Sequence, residues 1–264
     1  MSTSIHMKLS SALNDLRMPA IRKNYHDVAE TARQESMSYE EFLYQLASYE
    51  CQERKQNKTN RELKLSRLPL EKSLQNFDRQ RLPMKINAQL SALLDGSFLD
   101  RKENVLAFGN PGSGKTHLLC AIGQELIYQG YRVIFKPCSL LVQELLIAKN
   151  ELRLEKTLKQ LNRFDALIID DIGYVQYDRH EMEVLFTLLA ERYERKSVML
   201  TSNLPFSKWE QIFKDPMTTA AAIDRVVHHS IILELNLPSY RLEESKKNKS
   251  EKPKPEPKEN FTKV

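Results

Sequence analysis

Apolar residues recur along this chain with two different periods, and the change from one to the other divides it. From Leu9 to Ala32 they fall at three- and four-residue steps (Leu9, Leu13, Leu16, then Ile21, Tyr25, Val28), which is a helical stripe. Met18-Pro19 interrupts the stripe, and proline suits a first helical turn, so two short helices are predicted. Ser38 followed by Glu41 reads as a capping box, after which Phe42, Leu46 and Tyr49 extend an apolar face. The spacing predicts a helix end near Leu68-Pro69, a connector from Leu70 to Leu82 carrying Leu74, Phe77 and Asp78, and a helix from Met84 to Leu94 closed by Asp95-Gly96.

Beyond that point short continuous apolar runs alternate with helical stretches. Alternation of this kind signals a parallel sheet with crossover helices, and continuous runs imply burial on both faces. Strands are predicted from Asn104 to Phe108, Arg132 to Lys136, Asp165 to Asp170, Ser197 to Ser202 and Ser230 to Leu235. Helices are predicted from Lys115 to Gln129, Ser139 to Lys149, Leu152 to Leu161 and His180 to Arg195, with pieces from Ser207 to Phe213 and Thr218 to His229. From Lys246 onward Lys, Pro, Glu and Asn dominate, a composition that buries too little apolar surface to fold alone. The expected class is therefore α/β, a three-layer domain on a five-stranded parallel sheet over residues 84–245. A small all-α domain (1–69) and a linker (70–83) precede it, and a basic disordered tail (246–264) follows.

Between the first strand and its helix stand Gly109, Asn110, Pro111, Gly112, Ser113, Gly114, Lys115, Thr116 and His117. The first eight form a complete P-loop, whose glycines let successive N–H groups turn inward around an anion. Lys115 is placed to reach the β and γ phosphates of a nucleotide, Thr116 to put its hydroxyl on Mg²⁺, and the helix adds its positive N-terminal end. Some fifty residues later an apolar strand ends in Asp170-Asp171. The first carboxylate suits the Mg²⁺, and the second suits a water aimed at the γ phosphate. The next strand ends in Thr201-Ser202-Asn203, where the Asn203 amide can reach that water or serve only as a turn residue. Arg225 suits a finger that reaches the phosphate of an adjacent subunit, against an ion pair with Asp224 or Asp215 and with Arg192, Arg195 and Arg241 as rivals. Phe77 either packs on a nucleotide base or docks the linker.

The net charge of +5 is unevenly spread: ten Lys or Arg stand against four acids from Cys51 to Lys85, and seven against three from Lys246 to Val264. An acidic polymer is the partner this favours. Arg54, Lys58 and Arg61 share one helical face, and Lys149, Arg153, Lys156 and Lys159 recur at steps of four and three. Either set can track DNA phosphates or form a solvated surface. Three scattered cysteines suggest neither a disulfide frame nor a zinc site. With no apolar run of membrane-spanning length and no signal-peptide core, a cytoplasmic protein without membrane contact is expected.

The motifs together resemble the AAA+ ATPases of the clade of helicase loaders and replication initiators, and within it the IstB-type ATP-binding helpers of insertion-sequence transposition. The residues carrying the resemblance are the P-loop, Leu167 to Tyr174, Thr201 to Pro205, Ala222 to His229, Ser239 to Leu242 and the helical front with Ser38 to Leu43. The resemblance implies a protein that binds ATP, multimerises on duplex DNA through an ATP-site interface and recruits a transposase, with hydrolysis resetting the assembly. It also implies DNA-facing helices from Ser139 to Leu161. Asp-Asp in place of the commoner Asp-Glu implies slow turnover, and the short stretch after the last strand leaves no room for a full helical lid, with Arg241 standing in for its sensor arginine. A helicase loader that prefers single strands, or a nucleotide-gated scaffold with idle hydrolysis, would use the same core.

Overall fold

The structure, a computed structural model, describes residues 2–173, 178–210 and 216–240. Two compact units divide between Lys64 and Leu65. The first holds helices α1 (Ser2–Asp15), α2 (Pro19–Gln34) and most of α3 (Tyr39–Ser66). Its core is Leu13, Tyr25, Val28 and Leu46, lined by Met18, Ile21 and Phe42, so the middle of the predicted stripe is the buried face, whereas Leu9, Leu16 and Tyr49 of the same stripe are exposed. Ser38 and Glu41 exchange the expected capping-box bonds. Pro19 opens α2 without a side-chain cap of its own. Glu50 of α3 supplies one instead, accepting from the Ala20 N–H at 2.9 Å while buried to 5% exposure. A carboxylate at a helix N-terminus meets the positive end of the dipole as well as an unpaired N–H.

The second unit is built on five parallel strands, β1 (Asn104–Gly109), β2 (Val133–Pro137), β3 (Ala166–Ile172), β4 (Ser197–Ser202) and β5 (Ser230–Leu235), in the order β2-β3-β4-β1-β5. Helices α4 (Met84–Leu93), α5 (Ser97–Asp100), α6 (Lys115–Tyr128), α7 (Cys138–Asn150), α8 (Leu154–Leu161), α9 (Arg179–Arg192) and α10 (Pro216–Val227) make the connections. The predicted strands are all present, each within two residues of its expected bounds. The piece predicted from Ser207 to Phe213 is a short 3-10 turn at Phe206–Lys208, and 211–215 lie outside the described residues. The predicted tail likewise lies outside them.

Strand order sets the site. β4 lies between the P-loop strand β1 and the Asp-Asp strand β3, with Ala107 opposite Thr201 and Ile169 opposite Leu200. The C-terminal ends of all three converge, where open parallel sheets collect ligands. α6 crosses behind them with Leu118, Leu119, Ile122, Leu126 and Ile127 buried, each contributing roughly 1.5–3 kcal/mol. That burial fixes the N-terminus of α6 against the sheet.

One charged residue is part of the framework. Arg192, at the end of α9, is fully buried and donates to the carbonyls of Leu161 at 3.0 Å, Phe164 at 3.2 Å and Ser197 at 2.9 Å. It ties α8 to the edge of β4, and burial lowers its pKa to about 10.

Candidate nucleotide-binding site

The loop between β1 and α6 has the backbone its glycines allow. Gly109, Gly112 and Gly114 have φ of 152°, 79° and 96°. A Cβ at Gly109 would lie 2.2 Å from the Leu235 carbonyl oxygen, so side chains are excluded there by the backbone of β5 as well as by conformation. Lys115 Nζ donates to the carbonyls of Gly109 at 2.8 Å and Asn110 at 2.9 Å. Ser113 Oγ is buried and has no hydrogen-bond partner among the described residues. A buried hydroxyl without a partner inside a cradle of N–H groups fits a polyphosphate, whose oxygens supply the missing acceptor.

Beside the loop lies a connected set of oxygens. Thr116 Oγ1 donates to Asp170 Oδ1 at 2.8 Å, and Thr201 Oγ1 donates to the same oxygen at 2.7 Å. Thr201 Oγ1 in turn accepts the Asp171 N–H at 2.7 Å. β3 carries a bulge here, because three steps from Ile169 to Ile172 match two from Leu200 to Ser202. Asp171 takes the left-handed conformation at φ 59°, a state costing about 1 kcal/mol or more for a side-chain-bearing residue. The bulge breaks the alternation that would send neighbouring carboxylates to opposite faces. Asp170 meets Thr116, and Asp171 lines the adjoining cavity.

That cavity holds about 300 Å³ and is lined by the P-loop, Asp171, Asn203, Lys72, Asn76 to Asp78, Arg81, Leu237 and Tyr240. Asn203 is held at its rim by Ser202, whose hydroxyl donates to the Ile172 carbonyl at 3.1 Å and accepts the Leu204 N–H at 3.1 Å. Two segments to which the sequence assigned no firm site role close the cavity. Residues 72–81 lie along α6, where His117 Nε2 is 2.9 Å from the Ser73 carbonyl and Gln124 donates to the Lys72 carbonyl at 3.1 Å. Phe77 meets the His117 ring edge-on at 5.1 Å and closes on Gly114, so it docks the linker and also faces the cavity. The segment after β5 returns over the loop, with the Tyr240 N–H on the Gly112 carbonyl at 3.0 Å, and Arg81 stacks on Tyr240 and donates to the Pro238 carbonyl. The signal for these segments was slight: Leu74, Phe77 and Asp78 in the connector and the stretch from Ser239 to Leu242 stood out, without a shared role.

The other candidate residues lie elsewhere. Arg225 stands over the Phe186 ring at 4.5 Å with Nη1 buried and unpartnered among the described residues. Of its rivals, Arg192 is buried in the framework, Arg195 pairs with Glu191 at 2.8 Å, and Arg241 lies outside the described residues, as does Asp215. The two basic sets are largely occupied by carboxylates. Arg54 pairs with Glu50 and donates to the Arg17 carbonyl, Arg61 pairs with Glu62, and Lys58 is exposed. Lys149 pairs with Glu183, Arg153 with Glu151 and Lys159 with Glu155, while Lys156 is exposed. A left-handed turn at Leu152 separates α7 from α8, so the four-and-three spacing does not run along one helix. Cys120 is no nucleophile, since burial pushes its thiol up to about 12. Among the described residues no helix is long and apolar enough to cross a membrane.

Comparison with known proteins agrees with this geometry. An insertion sequence ATP-binding protein of Sinorhizobium fredii is 44% identical over 235 residues, 89% of this chain and 79% of its own. The insertion sequence IS21 ATP-binding protein of Pseudomonas aeruginosa is 38% identical over 243 residues, 91% of each chain. Among solved structures, AMPPCP-bound DnaA from Aquifex aeolicus aligns at TM-score 0.54 and 21% identity, covering 70% of this chain and 56% of that one. The DnaC helicase loader aligns at TM-score 0.54 and 16% identity, covering 62% and 97%. These likenesses show the fold, a five-stranded parallel sheet flanked by helices with a P-loop after its first strand. The profile of the IstB-like ATP binding proteins matches residues 11–248, and with relatives of such identity along nearly the whole chain, this protein belongs to that family.

Proposed function

We propose that this chain is an ATPase switch of insertion-sequence transposition, assembling with ATP on duplex DNA and recruiting the transposase of its element. The observation that carries the reading is the oxygen set at the end of the sheet, where Asp170 binds Thr116 and Thr201 and a bulge turns Asp171 toward the P-loop cavity.

In this reading the P-loop N–H groups, Ser113 and Lys115 hold the phosphates, and Thr116 and Asp170 would hold Mg²⁺. The ion would neutralise charge on the phosphate oxygens. Asp171 orients and deprotonates the attacking water, and Asn203 fixes its position from the rim. Arg225 of one subunit would complete the site of a neighbour once lifted from Phe186, which ties turnover to assembly. Asp171, one carbon shorter than the commoner glutamate, makes turnover slow. The helical front and the α7–α8 segment are the proposed DNA contacts, with exposed Lys58 and Lys156 the residues best placed to give phosphate contacts without breaking an ion pair.

The test is ATP-dependent assembly on equal lengths of duplex and single-stranded DNA, read by particle size, with Lys115→Ala as control. Large particles on duplex that require ATP and vanish in the variant are expected. Preference for single strands would transfer the reading to a helicase loader, and assembly indifferent to ATP would overturn the switch.

A further inference from the structure

At the end of the sheet opposite the nucleotide cavity, two turns bring together a set of side chains that ATP chemistry does not use. The turn after α9 carries Tyr193 and Glu194, and the turn after α10 carries His228 and His229. One ligand atom from each of Glu194, His228 and His229 lies within 4.8 Å of the others. All three side chains are exposed, so a cation could reach them without unfolding anything.

The turns are firmly built. Glu194 sits at φ 57° in a turn whose Arg195 and Lys196 N–H groups both bond the Arg192 carbonyl, and Arg192 is the buried framework residue described above. The His229 carbonyl accepts the Asn104 N–H at 2.7 Å, and the His228 N–H bonds the Asp224 carbonyl at 2.9 Å. The ligand-bearing backbone is thus anchored to the start of β1 and the end of α10.

Tyr193 orients the set. Its phenol oxygen is 2.9 Å from His228 Nδ1. In the tautomer with its proton on Nδ1, His228 donates to the phenol oxygen. That leaves the lone pair of His228 Nε2 available to a cation.

We infer that Glu194, His228 and His229 form a zinc-class cation site, with Tyr193 as the residue that orients it. Two imidazoles and one carboxylate suit Zn²⁺ and the neighbouring divalent transition metals better than Mg²⁺ or Ca²⁺, which take oxygen ligands. Water fills the fourth position. The ion staples the turn after α9 to the turn after α10, bracing that helix beside its last turn, which carries Arg225.

The test is calorimetric titration of the full-length, tag-free, metal-stripped protein with Zn²⁺, repeated with Co²⁺ to read coordination from its visible spectrum. One equivalent of Zn²⁺ per chain is expected. His228→Ala and Glu194→Gln should weaken it by about tenfold or more, and Tyr193→Phe by about tenfold, as for other residues that orient metal ligands. Zn²⁺ should also raise the unfolding temperature of the parent, an effect lost in the variants. Because Glu194 and His229 are 59% and 52% exposed, substitutions here should leave the metal-free unfolding temperature unchanged. His6 lies 4.6 Å from His26 between ring centroids, a second imidazole pair, so His6→Ala is the control. Absence of binding, or binding lost in His6→Ala and kept in His228→Ala, would overturn the site.

Discussion

Thr201 Oγ1 lies 2.7 Å from Asp170 Oδ1, and this fully buried hydroxyl joins the strand that carries the site's carboxylates to the strand that leads to its rim amide. It also accepts the Asp171 N–H. Thr201→Val keeps the shape and removes both bonds. Losing these two part-buried hydrogen bonds costs about 1–3 kcal/mol. The expected outcome is a loss of stability of that size in urea unfolding, together with a fall in phosphate release larger than any fall in nucleotide affinity. Unchanged turnover would mean that the bulge holds Asp171 without help.

Asp171 separates conformation from chemistry. In the left-handed region glycine is free of the Cβ penalty, so Asp171→Ala should be about 1 kcal/mol less stable than Asp171→Gly. Both should retain nucleotide binding and lose turnover by about 10²-fold or more, the usual contribution of a positioned base. Single-turnover phosphate release and denaturant unfolding on the same variants check the two halves. Turnover surviving in either variant would move the base elsewhere.

Arg192 should behave as framework and not as a finger. Arg192→Met leaves the carbonyls of Leu161, Phe164 and Ser197 without their donor, at an expected cost of about 3–5 kcal/mol. Mixing experiments distinguish the roles. A finger variant is rescued by a subunit contributing a good arginine to its neighbour, whereas an Arg192 variant should remain defective in its own fold.

Acid should weaken the sheet at Asp165. Burial opposes its ionisation, but hydrogen bonds from Lys196 at 2.6 Å and from the Arg132 N–H at 2.9 Å outweigh it and hold its pKa below the usual carboxylate range. A lowered folded-state pKa gives stability that is complete above the unfolded value near pH 4 and fades as pH falls through the folded value. The stability gap between the parent and Asp165→Asn should therefore be constant from about pH 5 to 7 and shrink below about pH 4 in unfolding titrations.

The parts legible in the sequence were those written in short-range pattern. The P-loop, the apolar runs and Asp170-Asp171 announce themselves within a few residues, because glycine conformation, strand burial and helix capping are local physics. The capping box at Ser38 is of this kind. What stayed hidden depends on which segments meet. Thr201 gains its role only because β4 lies between β1 and β3, and the bulge at Asp171 is a register difference between two strands. The wall from Lys72 to Arg81 depends on α6 presenting His117 and Gln124 to it. Arg192 was legible as a charge, but not as a buried one. The basic stripe from Lys149 to Lys159 was legible as spacing, but the turn at Leu152 and its glutamate partners decide what that spacing means.

The strap from Leu237 to Tyr240 that covers the P-loop gives the nucleotide cavity an order in time. A ribosome makes the wall at 72–81 early and the loop soon after, yet the Gly112 carbonyl waits for the Tyr240 N–H, which emerges only after the whole sheet. A nascent chain stalled before that point holds every phosphate-binding residue and still has an open pocket. Closure of the cavity around a nucleotide therefore follows synthesis of all five strands, and a chain that has not yet gained residues 237–240 remains unswitched.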